Sequence, residues 1–320
     1  MAFKPHRPVI RQEPSLGVYV ALAILAMTMV GRAKAQQNTA PVTSGDQLPV
    51  PGKFVPADHG NLSEHNVEWM LTQPPQVQME FLLSSAINHD RGATDWINKL
   101  VEGWHGKLHV TQRWQDLQDT ALYSNDLRVR AAAIEINLAV YNLAKTDETV
   151  DRLMRSGELH PDNRQFAGWE LGMLASRGVE VERIHQLLVS YIHEPDEKTR
   201  FWAVEGLAHL GTDDTIKDFM EVLRSDASMD VRERAGCSLA KSGMLTREQR
   251  MKAVPGLLDL ADDAGLNATT RNWVFQALRE ITNQSLPNDL KIWRSWYEKF
   301  GAQRTQEFRQ GEKWAVLGNS

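Results

Sequence analysis

Ten histidines and a single cysteine, Cys237, are the side chains in this 320-residue sequence best suited to hold a metal or attack a substrate. His105 and His109 have the four-residue spacing that can place two imidazoles on one helix face. Gly106 and Lys107 lie between them, however, and no H-E-x-x-H or C-x-x-C accompanies the pair. There is no G-x-S-x-G elbow, no Walker A loop and no G-x-G-x-x-G turn. One cysteine can make neither a C-x-x-C-H haem attachment nor an intramolecular disulfide. Cys237 stands between Ala235 and Leu239 on a helical pattern and reads as a small packed hydrophobe. With no catalytic constellation, no metal ligand set and no cofactor motif, the residues predict a protein that is not an enzyme and carries no cofactor.

The elements around these residues follow helical spacing. Apolar residues recur three and four apart at Met79, Leu82, Leu83, Ala86 and Ile87, then at Ile97, Leu100, Val101 and Trp104, and again at Trp114, Leu117, Ala121 and Leu122. No segment of comparable length alternates with period two, so the body is predicted all-α. A longer period lies over this one. Arg130, Arg164, Arg200, Arg232 and Arg271 succeed one another at intervals of 34, 36, 32 and 39 residues. Three residues after each comes a small residue (Ala133, Ala167, Ala203, Ala235) or Val274. Seven after each comes a leucine (Leu171, Leu207, Leu239, Leu278), except at Asn137. A small residue admits a neighbouring helix and a leucine one turn on fills the space beside it. Periods of this length are what stacked helix pairs require, because one pair cannot bury its apolar face alone.

Punctuation completes the units. Asp126, Asp162, Asp196 and Asp230 precede or open the arginine-bearing helices, where a carboxylate can accept from free N–H groups. Gly178, Gly211 and Gly243 fall where those helices should stop in a left-handed turn. Second helices are expected at about 181–192, 215–223, 247–260 and 289–300, with Thr246 and Gln249 forming a capping box.

The segment Asp126-Leu127-Arg128-Val129-Arg130 with Ala133, and Asp196 to Arg200 with Ala203, Gly206, Leu207, Ala208, Leu210 and Gly211, resemble the D-x-x-V-R-x-x-A-x-x-A-L-G core of HEAT repeats. The form is that of the short repeats first named from phycobilisome lyases. The resemblance implies an α-solenoid of stacked HEAT-like helix pairs over residues 63–300, of bacterial exported type. It also implies an Asp and Arg ladder along one edge, which falls to Asp126, Arg130, Asp196, Arg200, Arg232 and Arg271. An arginine at a helix start opposes the macrodipole and needs a carboxylate or carbonyl of its neighbour to answer it. In such solenoids the second helices line the concave side. Their non-core residues Glu182, Gln186, Lys217, Glu221, Arg250, Lys291 and Arg294 are therefore the expected partner contacts, and their mixed signs suit a protein partner. The alternative is an accessory to chromophore or cofactor attachment, with Trp202, His209 and Trp273 lining part of a ligand cleft. The related deoxyhypusine hydroxylases hold iron with repeated His-Glu pairs. Here the only such pair is His193-Glu194, so that activity is excluded.

Composition sets the address. A formal net charge of -5 offers no basic face to nucleic acid. Lys4, Arg7 and Arg11 precede an uncharged apolar stretch from Leu16 to Val30 that closes on Ala33-Lys34-Ala35, the layout of a secretory signal peptide. Fifteen residues are short for a permanent span, although an uncleaved stretch 16–30 would act as a membrane anchor. Cleavage after Ala35 leaves 31 cations against 40 anions, a balance of -9. Residues 36–62, with Pro41, Pro49, Pro51 and Pro56, read as an extended linker, and 301–320 as a polar tail. Trp69, Trp96, Trp104 and Trp114 stand outside the repeat register. The expectation is an exported, non-catalytic scaffold in the periplasm or cell envelope that binds protein partners.

Overall fold

The computed structural model describes residues 59–312. The leader, its cleavage site, most of the linker and the last eight residues lie outside the described residues. A short parallel pair, β1 (His59–Asn61) and β2 (Asp90–Arg91), is the strand content among them. All else that is regular is helix, as the periodicity predicts.

Four N-terminal helices, α1 (Glu64–Leu71), α2 (Pro75–Ile87), α3 (Ala93–Leu100) and α4 (Gln112–Leu122), precede the repeats, with a 3-10 turn at Val101–Trp104. Their core comprises Met70, Met79, Leu82, Leu83, Ile97, Trp104 and Trp114, all buried. It continues onto Val129, Ala132, Ala133, Ile136 and Ala139 of the next helix. The tryptophans without a repeat register thus have a role. Trp104 donates its Nε1–H to Gln78 at 3.0 Å, and Trp114 stacks edge-on against Tyr141 with centroids 5.9 Å apart. Trp69 remains 45% exposed.

The repeats follow as α5 (Leu127–Val140), α6 (Asp147–Leu159), α7 (Arg164–Ala175), α8 (Val181–Tyr191), α9 (Glu197–Leu210), α10 (Thr215–Ser225), α11 (Met229–Ala240), α12 (Arg247–Met251), α13 (Val254–Asp262), α14 (Ala268–Thr282) and α15 (Leu290–Gly311). Asp126 and Asp196 cap α5 and α9 through their side chains, as their position predicts. For α11 the cap is Ser228, and Asp230 lies within the first turn. The capping box of Thr246 and Gln249 is present, but the helix it opens breaks before Pro255, which heads α13. Gly178, Gly211 and Gly243 all have positive φ.

The structure corrects the sequence reading in two places, the first in the layering. Of its two outer neighbours in sequence, each arginine-bearing helix packs more closely with the one before it: α6 with α7, α8 with α9, α10 with α11, α13 with α14. The repeat pair is therefore outer helix then arginine helix, the reverse of the expected phase. Between them the arginine helices form the inner layer. On α7 every residue from Ala167 to Ala175 is buried, and on α9 every residue from Trp202 to Leu210. The outer helices bury one face, such as Ile216, Phe219, Val222 and Leu223 of α10. Within the inner layer α7 and α9 touch backbone to backbone. A Cβ on Gly172 would strike the carbonyl of Gly206, and one on Gly206 the carbonyl of Gly168, so only glycine permits the approach.

The second correction is at the C-terminus. Residues 301–311 are not a tail but the second half of α15, which buries Phe300, Arg304 and Phe308 on one face.

Candidate functional site

The recurring arginines close helix ends. Arg130 donates to the carbonyl of Ser124 after α4, Arg164 to Gly157 in α6, Arg200 to Glu194 and Pro195 after α8, Arg232 to Asp226 after α10, and Arg271 to Asp263 and Leu266 after α13. Each guanidinium sits at the start of its own helix and also at the C-terminus of the preceding one, where orphan carbonyls and the negative dipole end favour it. That answers the expected conflict with the macrodipole. Two of the recurring arginines meet a carboxylate of the next repeat: Arg164 pairs with Glu194 at 3.1 Å, and Arg200, the one in the predicted ladder, binds Asp226 through Nε and Nη2 at 2.8 and 3.0 Å. The partner is Asp226 rather than an aspartate of the predicted set. Asp126 instead pairs with Arg128 at 2.6 Å, and Asp196 binds the Thr199 N–H and hydroxyl.

Arg130 reaches further. Two more of its donors go to the carbonyls of Lys241 and Gly243, more than 100 residues away at the end of α11. In return Arg234 of α11 donates to the Tyr123 hydroxyl at 3.1 Å, and to Glu205 at 3.0 Å. Glu205 is buried and forms an ion pair with the partly buried Arg234. Although burial opposes it, Glu205 holds the Arg234 guanidinium firmly charged. The stack thus curls until α5 meets α11.

Inside this curl is a cleft of about 1220 Å³. Its floor is the open face of α5, with Arg128, Ala131 and Glu135. Its walls are α3 (Thr94, Asp95, Asn98) and the turns that follow α7, α9 and α11, through Arg177, Thr212 and Met244, with Gln249 of α12 beside them. One charge network spans it. Lys145 binds Glu102 at 2.6 Å and Glu135 at 3.0 Å, and Arg177 approaches Glu135 at 3.6 Å. The hydrogen bond from Lys145 holds the Glu102 carboxyl below its ordinary range. Burial lowers Arg177 against the pull of Glu135. The cleft therefore presents both signs of charge together with the turn residues of three repeats.

None of the seven expected partner contacts lines this cleft. Glu182, Gln186, Lys217, Glu221, Lys291 and Arg294 are exposed on the outer layer. Arg250 is a correction: it is 3% exposed and donates to the carbonyls of Ser238, Leu239, Ser242 and Leu245, so it is part of the interior. The residues of the attachment alternative are placed elsewhere too. Trp202 and His209 are buried against Trp169, with centroids 6.2 and 5.9 Å from its ring, and neither they nor Trp273 face the cleft. Among the described residues no three His, Cys, Asp or Glu side chains are gathered to hold a metal ion.

Residues 146–240 match the family model of HEAT repeats. The match begins at Thr146, the cap of α6, and ends at Ala240, the last residue of α11, so it holds three pairs in the phase that the packing shows. The resemblance read from Asp126 and Asp196 is thereby supported as a HEAT-repeat architecture. No curated protein matches the chain. Among solved structures, the crystal structure of an engineered protein is similar at 16% identity over 64% of this chain and 97% of that one, with a TM-score of 0.31, a superposition too loose to carry an argument.

Proposed function

We propose that this chain is an exported, non-catalytic HEAT-repeat scaffold that holds a protein partner in the cell envelope, and that the cleft over α5 is where the partner sits. HEAT repeats commonly serve in protein interaction, and the cleft is the observation that carries the reading here. Its walls come from α3, α5 and three inter-helix turns, so it exists only when the repeats are stacked and curled. Its opposed charges, held in place by Lys145 and Glu135, suit a folded protein surface of mixed sign better than a polyanion. Export rests on the order of cations, apolar stretch and small-residue site in residues 1–35.

Crosslinking of the native protein followed by reversal of exposed cleft residues tests the assignment. Asp95→Lys with Asn98→Arg is expected to abolish recovery of the crosslinked partner, whereas Lys217→Glu with Arg294→Glu on the outer layer leaves it intact. The opposite pattern moves the site to the outer helices. N-terminal sequencing of the same material is expected to read from Gln36, and an intact Met1 in a cytoplasmic fraction overturns export.

A further inference from the structure

A second, smaller cavity of about 50 Å³ lies behind the α11 end, lined by Arg130, Arg247, Arg250, Lys241, Glu280 and Glu312 among others. One water needs about 10–15 Å³ on such a measure, so the space admits about four oxygen-sized atoms. Arg130 and Arg250 are 5% and 3% exposed. Interior charges are ordinarily matched. The lining carries four cations, Arg130, Lys241, Arg247 and Arg250, against two carboxylates, the buried Glu312 and the exposed Glu280, which lies 3.8 Å from Lys241 and also acts on Arg247, while Asp126 acts on Arg130 from outside the lining. The end of α11 supplies about half a negative charge more through its carbonyls. A surplus of positive charge therefore surrounds a hole.

Donors remain as well as charge. A guanidinium has five N–H groups. The carbonyl bonds use three on Arg130 and four on Arg250. Burial, with the neighbouring Arg247 adding to it, lowers the pKa of Arg130 to about 10, and burial with Arg130 beside it lowers Arg250 strongly. The site lacks negative charge. Glu312 provides part of it from the end of α15, accepting the Arg247 backbone N–H at 2.8 Å and standing 3.8 Å from its Nε.

We propose that this cavity binds one tetrahedral oxyanion, phosphate or sulfate, between Arg130, Arg247 and Arg250, and that Glu312 is the internal carboxylate that competes for the same place. Planar guanidinium forks match oxyanion edges, and four oxygens fill the volume. The anion is a free ion or the terminal phosphate of a small ester whose remainder stays outside.

The test is titration calorimetry of the full exported protein with inorganic phosphate, sulfate and glycerol phosphate, against chloride at matched ionic strength. Phosphate and sulfate are expected to bind one to one and chloride not at all. Glu312→Gln, which removes the competitor, is expected to tighten binding about tenfold, and Arg247→Gln to weaken it by about the same factor. Circular dichroism reports whether each variant folds, and Lys241→Gln at the exposed rim gives the same direction if Arg247→Gln does not. Glycerol phosphate binding as well as phosphate supports an ester as the source, and phosphate alone supports the free ion. No binding by either wild type or folded Glu312→Gln overturns the proposal, as does binding that the arginine and lysine variants leave unchanged.

Discussion

The helices before the repeats and the helices within them are held by different chemistry. Between α1 and α4 the contacts are apolar: Met70, Met79, Trp104 and Trp114 form a core whose polar atoms are few. From α5 to α12 the helix ends are held by guanidinium-to-carbonyl bonds as well: Arg130 reaches across to the end of α11, and Arg232 and Arg250 bind the carbonyls of the turns beside them. An apolar core fills itself by any residues of suitable volume, so its order in the chain need not repeat. A charge-capped helix end needs a particular donor at a particular place. That is why arginines recur at fixed intervals while the tryptophans do not.

The largest expected effect tests this difference at its most distant contact. Arg130→Ala orphans buried carbonyls at both the α4–α5 turn and the end of α11, and should cost about 4–5 kcal/mol. Hydrogen exchange should rise at both places together, although they are more than 100 residues apart. Trp114→Ala comes next, at about 3–4 kcal/mol from cavity creation. Its loss of protection should stay within α1 to α5. If it loosens α11 equally, the two regions are one cooperative unit and the contrast fails.

A third measurement uses pH. Burial pushes Glu170 on α7 up to about 8, against the pull of Arg152, and burial lowers His209 on α9 to about 3. In the unfolded chain Glu170 loses its proton from pH 4.5 upward, while the fold keeps it until about 8, so stability falls as pH rises through that window. His209 takes a proton below 6.5 when unfolded but resists to about 3 in the fold, so stability also falls as pH drops through that window. Together they place the optimum between 4.5 and 6.5. Glu170→Gln should flatten the alkaline arm and gain about 1–3 kcal/mol at pH 8 relative to wild type. Thermal melts across pH check it, and an unchanged arm removes Glu170 from the account.

The smallest effect sharpens the role of geometry. Arg200→Lys keeps the charge but loses the two-pronged contact to Asp226, and should cost about 1 kcal/mol in denaturant melts. A neutral result would mean that charge alone holds that rung.

The all-α class, the repeat and most helix bounds were legible because each arginine performs the same local task, so its spacing survives in the chain. The phase was not, since periodicity marks each helix without saying which neighbour it pairs with. Arg250 reads as a surface residue after a capping box, and only the carbonyls of Ser238 to Leu245 folded around it reveal otherwise. The extension of α15 was hidden by Arg304, a charge on the buried Phe300 and Phe308 face. The cleft left no trace, because Asp95, Glu135, Arg177, Thr212 and Gln249 meet only once the stack has curled.

The reciprocal reach of Arg130 and Arg234 has a consequence for how this chain can change in evolution. An open array lengthens or shortens by duplicating or dropping a unit, since each unit answers only to its neighbours. Here α5 and α11 hold one another directly, across the units carried by α7 and α9. A duplication between them would carry the end of α11 out of reach of Arg130, and a deletion would drive it past. The unit number between these two helices is counted by the molecule itself, so related chains should vary in length after α11 or before α5, and not in between.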